Sequence, residues 1–104
     1  MQKNEVKKIV RTYAKKLRAE KVPFEHLYLF GSHAKEKTHR WSDIDVLVVT
    51  KNFPAGYMKY KNKLWGATIG LDTRIEPHAC TVKDFKDEVT LTASETKKYG
   101  IKVV

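Results

Sequence analysis

Leu29-Phe30-Gly31-Ser32, ten intervening residues, then Asp43-Ile44-Asp45-Val46-Leu47-Val48: this stretch decides how the chain is read. His26-Leu27-Tyr28-Leu29-Phe30 is a short apolar run closing on Gly31-Ser32, which predicts a buried strand that ends in a turn. Residues 32–37 read as a short helix, followed by a polar loop through Trp41. β-Branched residues dominate 43–49, the clearest strand in the chain. Side chains alternate faces along a strand, so Asp43 and Asp45 project to one side, about 6.6 Å apart at roughly 3.3 Å per residue. Carboxylates that close repel one another unless a cation sits between them. Hard oxygen donors of this kind suit Mg²⁺, which takes one or two carboxylates and completes its shell with water and substrate phosphates. Gly31 lets the backbone approach a ligand closely, and the start of the following helix offers unpaired N–H groups to a phosphate, with the Ser32 hydroxyl beside them. Gly-Ser alone is an ordinary turn and Asp-x-Asp alone a solvated strand end. Their combination implies phosphate on a helix terminus and metal on the adjacent strand.

Working outward, the 104 residues are the size of one domain, read as a single unit over 1–104 without repeat, linker or low-complexity tract. The hydrophobic share of 41% supplies one core. Lys plus Arg number 21 against 12 Asp plus Glu, and the net charge of +9 favours polyanionic partners: nucleotides, nucleic acid or an acidic protein. The single cysteine, Cys80, excludes an internal disulfide framework and favours the cytosol. No apolar run approaches the roughly 20 residues needed to span a bilayer, and the first ten residues lack a signal-peptide core. A cytoplasmic protein without a membrane role is the expectation.

Val6, Ile9, Val10, Tyr13 and Leu17 recur at helical spacing, with Asn4 as N-cap and Pro23 as the stop. Asn52 and Pro54 open a second helix, whose face carries Tyr57, Lys61 and Leu64; Tyr57 and Trp65 read as core. Residues 68–77 alternate Ile69, Leu71, Thr73 and Ile75 against Gly70, Asp72, Arg74 and Glu76, which predicts a third strand. Thr81-Val82-Lys83-Asp84 resembles a capping box opening a helix that buries Phe85 and Val89, and residues 100–104 read as a terminal strand. The fold class is α/β (α+β): a mixed sheet of about four strands packed by helices.

Gly31-Ser32-His33-Ala34 followed by Ser42-Asp43-Ile44-Asp45 resembles the nucleotidyltransferase superfamily of DNA polymerase β type, and most closely its minimal nucleotidyltransferases. The resemblance implies a two-metal nucleotidyl transfer. Two Mg²⁺ ions would be held by Asp43, Asp45 and a third carboxylate on a neighbouring strand, with Gly31 and Ser32 on the triphosphate of ATP. Alternation puts Asp72 and Glu76 on one face of the third strand, so both are candidates. Glu76 is preferred, because the family places its acid in an apolar–acid–apolar pattern late in this strand. The sequence departs from the family at Glu36, where a second glycine is usual, and at Glu76, where Asp is usual.

The resemblance further implies transfer of AMP to a macromolecular hydroxyl, foremost on protein, and a helical HEPN partner in a toxin–antitoxin pair. The competing reading is a catalytically weak or inactive subunit that neutralises its partner by contact. A nucleic-acid-binding module ranks last, since no paired-aromatic signature accompanies the charge. His33 and His39 read as solvated. Lys35, Lys37 and Arg40 sit near the proposed phosphates, and Lys51, Lys59, Lys61 and Lys63 read as a solvated basic face.

Overall fold

Four strands form one mixed sheet in the order β3-β2-β1-β4. The computed structural model describes residues 3–31, 34 and 43–104. In chain order they run α1 (Lys3–Ala19), β1 (His26–Phe30), β2 (Ile44–Thr50), α2 (Tyr57–Gly66), β3 (Ile75–Thr81), α3 (Val82–Lys86), α4 (Leu91–Tyr99) and β4 (Ile101–Lys102). β1 pairs antiparallel with β2 and with β4, while β2 and β3 run parallel. No described helix is long and apolar enough to cross a membrane.

Alternation along β1 and β2 splits the apolar residues between two faces. Leu27, Leu29, Ile44, Val46 and Val48 join Val6, Val10, Tyr13 and Leu17 of α1, and Tyr60 and Leu64 of α2, in the larger core. Phe30, Leu47, Val49 and Cys80 form a smaller cluster on the opposite face, with Tyr28 and Phe85 against it. Each fully buried Val, Leu or Ile contributes about 1.5–3 kcal/mol, so β2, covered on both faces, is the centre of stability. The α1 face is as its spacing predicts. Tyr13 ties it to α2, its hydroxyl donating to the Leu64 carbonyl at 2.7 Å. Asn4 lies within the first turn of α1 rather than before it, a difference of the size at which frayed ends are defined.

α1 ends in a Schellman motif. Val22 N–H donates to the Leu17 carbonyl at 2.9 Å and Lys21 N–H to that of Arg18 at 3.0 Å, with Lys21 at φ +59°. Pro23 follows and cannot continue the helix. α2 starts later than expected, at Tyr57, and buries Tyr60 and Leu64 instead of a Tyr57–Lys61–Leu64 face. Tyr57 and Trp65 are 44% and 42% exposed, so neither is core. Tyr60 fills that role because its hydroxyl reaches the Pro23 carbonyl at 2.5 Å while its ring enters the core.

The third strand differs most from expectation. Residues 68–74 are turns, and β3 begins only at Ile75. Gly70 at φ +84° breaks the extended backbone, and Ile69, one member of the supposed apolar face, is 74% exposed. Pro77 does not end the strand, because β3 is an edge strand, where a missing donor is tolerated. The helix expected from residue 81 is two helices. Thr81 caps α3, accepting from Asp84 N–H at 3.1 Å, and Thr90 caps α4, accepting from Ala93 N–H at 3.1 Å. Glu88 at φ +51° lies in the break, and Val89 is 63% exposed instead of buried; Phe85 packs on Tyr28, ring centroids 4.9 Å apart. The terminal strand is confined to Ile101–Lys102, extended by Val103 N–H bonding the Leu27 carbonyl at 2.9 Å.

Candidate functional site

Parity along the strands assembles the site. β1 turns Phe30 to the face of the smaller cluster, and Phe30 lies opposite Asp45 on β2, which in turn lies beside Glu76 on β3. Asp43 shares the parity of Asp45 but sits one residue before the strand begins; it is exposed, whereas Asp45 is half-buried. Ile44 between them is fully buried in the larger core and bonds the Arg74 carbonyl through its N–H at 2.8 Å, which fixes both acids outward at the strand head.

Gly31 follows Phe30 at φ +73°, and a Cβ placed there would run into Asp45 Oδ2. Glycine is therefore required twice, by the left-handed backbone and by the carboxylate that occupies the space a side chain would take. Sequence reasoning attributed Gly31 to phosphate access alone. The structure adds that it makes room for Asp45.

Of the two acids left open in the third strand, the structure brings Glu76 to Asp43 and Asp45. Asp72 lies in the turn before β3, so the two do not share a strand face as alternation implied. The Asp72 carboxylate accepts from Arg74 N–H and Nε at 2.9 Å and from Nη2 at 2.6 Å, a forked ion pair that pins the entry to β3. Glu76 has its proton affinity raised, first by burial, then by the charge of Asp45 and a hydrogen bond with Asp43; His78 opposes the shift. Three carboxylates thus crowd one spot, and one retains its proton more tightly unless positive charge arrives.

Sequence reasoning missed His78. Two residues after Glu76, it projects from the same face of β3, and its Nε2 stands 3.6 Å from Asp45 Oδ1 and 3.7 Å from Glu76 Oε1. Phe30 packs edge-on against its ring, centroids 5.1 Å apart. Donor atoms of Asp45, Glu76 and His78 all lie within 4.8 Å of one another, a spacing that suits a single metal ion. The only signal in the sequence was Glu76-x-His78, hidden because Pro77 was taken as the strand's end.

Ser32, His33, Lys35, Glu36, Lys37, His39, Arg40 and the short helix expected over 32–37 fall outside the described residues, apart from Ala34, which packs into the larger core. Lys51 does not extend the α2 lysines: it precedes that helix and pairs with Glu25 at 3.8 Å. Lys61 stands over the Tyr57 ring at 5.9 Å.

The chain matches a family model for the nucleotidyltransferase domain over residues 4–103. Among solved structures it is similar to a protein of Sulfolobus solfataricus classed as a nucleotidyltransferase, at a TM-score of 0.69 and 18% identity, covering 96% of this chain and 80% of that one. A toxin–antitoxin structure with AMP-PNP gives 0.60 and 21% identity over 94% and 72%. A mutant of the toxin–antitoxin MntA–HpeT gives 0.52 and 18% over 100% and 73%. At such identities the likenesses speak to the fold. The curated proteins yield no match. The resemblance carried by Gly31-Ser32 and Asp43-Ile44-Asp45 is borne out by these findings: the chain belongs to the nucleotidyltransferase domain family.

Proposed function

We propose that this nucleotidyltransferase transfers AMP from ATP to a hydroxyl of a macromolecule, foremost a protein, with Asp43, Asp45 and Glu76 as its catalytic and metal-binding acids. The observation that carries the reading is the register of Asp45 beside Glu76, with Asp43 near enough to raise the proton affinity of Glu76 and Gly31 clearing space for Asp45. The unrelieved repulsion in that cluster fits a divalent cation, and all-carboxylate donors at Asp43 and Asp45 suit Mg²⁺. Two such ions, held by Asp43, Asp45 and Glu76, would neutralise charge on the attacking and leaving oxygens of an in-line displacement.

The chain's own groups supply position. Gly31, at the end of β1 beside Asp45, would meet the triphosphate together with Ser32, next to it in sequence. The acceptor oxygen attacks the α-phosphorus, its bond to the bridging oxygen breaks, and pyrophosphate leaves; no covalent enzyme intermediate is needed, so orientation and charge neutralisation provide the rate. Residues 1–104 act as a single nucleotidyltransferase domain in the cytoplasm. Its partner is a helical HEPN-type protein that it neutralises as an antitoxin, a reading supported by its similarity to toxin–antitoxin structures.

Label transfer from α-phosphate-labelled ATP with Mg²⁺ in host lysate tests this. A labelled protein band with wild type, absent with Asp43→Asn/Asp45→Asn, is expected. A labelled RNA band instead would move the acceptor to nucleic acid. No label and no ATP binding, with partner binding intact in the double mutant, would replace the reaction by neutralisation through contact alone.

A further inference from the structure

His78 is not among the three acids of the proposed reaction, and its environment is chemically unfinished. The Nε2 atom is shielded from solvent and has no hydrogen-bond partner among the described residues. It nevertheless faces two carboxylate oxygens, Asp45 Oδ1 at 3.6 Å and Glu76 Oε1 at 3.7 Å. Neither distance is a hydrogen bond. An imidazole nitrogen packed this closely against two carboxylates calls for either a proton on Nε2 or a cation among the three atoms. Donors seated side by side on one ion stand about 3.0–3.4 Å apart at metal–donor bonds of about 2.1 Å; both separations from Nε2 are within a few tenths of an ångström of that, and the three donors lie within 4.8 Å of one another. β3 places Glu76 and His78 two residues apart on one face, the parallel register brings Asp45 alongside, and the Phe30 ring edge holds the imidazole plane.

We propose that His78 Nε2 is a metal ligand, joining Asp45 and Glu76 in an O,O,N set that favours a divalent first-row transition ion such as Mn²⁺ over Mg²⁺. This rests on the acidic cluster being a metal site and specifies which ion its Glu76 side takes. Mg²⁺ accepts carboxylates and water and gains little from imidazole, whereas Mn²⁺, Co²⁺ and Zn²⁺ bind imidazole and carboxylate together. The rival occupant of the same space is a proton: an Nε2–H pointing loosely at the two acids.

The test uses the full chain without nucleotide. Mn²⁺ binding is followed by the loss of the free-ion EPR signal, Mg²⁺ is titrated in competition, and electron spin-echo modulation of the bound Mn²⁺ reports any directly coordinated nitrogen. Wild type is expected to bind Mn²⁺ at least about tenfold more tightly than Mg²⁺ and to show histidine nitrogen coupling. In His78→Gln the coupling disappears, and Mn²⁺ affinity falls by about tenfold or more while Mg²⁺ affinity stays within about twofold, the scale on which loss of a ligating group acts. Metal-free melting of His78→Gln confirms its fold; if that variant does not fold, the wild-type spectrum decides. Bound Mn²⁺ without nitrogen coupling overturns the proposal. If Asp45→Asn then abolishes Mn²⁺ binding, the carboxylate site still stands. Nitrogen coupling in a protein that transfers no label would overturn the proposed reaction and leave the ligand assignment intact.

Discussion

Gly31→Ala probes the contact on which the whole site depends. The substitution forces alanine into φ +73°, which costs about 1–2 kcal/mol for an L-residue. Its Cβ also meets the Asp45 carboxylate, so Asp45 must leave its rotamer, at about 0.5–1.5 kcal/mol more. The sum is about 1.5–3.5 kcal/mol. A loss of 1 kcal/mol lowers Tm by roughly 4–8 °C in a domain of this size, which predicts a drop of about 6–28 °C. The two contributions separate in a double-mutant cycle. Asp45→Ala removes the carboxylate, so Gly31→Ala made in that background should cost only the backbone part, about 1–2 kcal/mol. Calorimetry or circular-dichroism melting of the four metal-free proteins measures the coupling. Equal costs in both backgrounds would refute the argument, because Asp45 would then not be held against the glycine.

Three further outcomes follow from the same structure. Lys21→Gly relieves a left-handed lysine at the Schellman cap of α1 and should stabilise the protein by about 1 kcal/mol, read as a Tm increase of roughly 4–8 °C. Glu76 holds its proton more tightly folded than unfolded, so its contribution is fully present below the usual carboxylate range and is lost as pH rises through the raised folded value. Metal-free protein should therefore lose stability across that window, and Glu76→Gln should flatten the profile in pH-dependent chemical denaturation. Tyr13→Phe deletes the buried hydroxyl that reaches the Leu64 carbonyl and should cost about 1–2 kcal/mol, read as a lower urea midpoint at an unchanged m-value.

The cluster of acids also explains an economy in the fold. β2 carries its apolar residues to both faces of the sheet and its acids only at its head, where the Phe30–Gly31 end of β1 meets it. Coverage of both faces makes that strand hard to open, which holds Asp45 still while its carboxylate remains half-exposed. A charge fixed on a rigid strand end loses little orientation entropy when it meets a cation.

The sequence by itself determined whatever depends on local periodicity. The 3.6-residue spacing of Val6, Val10, Tyr13 and Leu17 marks the buried face of α1, and the β-branched run after Asp43 marks β2. Strand alternation likewise sets Asp43 and Asp45 to one side without any knowledge of what they face. Only the tertiary structure decided their company. Alternation gives faces but not register, and Asp45 meets Glu76 through a parallel pairing between strands about thirty residues apart in the chain. That pairing is set by how the turns of residues 67–74, Gly70 and the Asp72–Arg74 fork deliver β3 to the edge. Because β3 is an edge strand it continues through Pro77, and that continuation carries His78 to the acids. A proline looks like a terminator when its neighbours are unknown; at a sheet edge the donor it lacks is not needed.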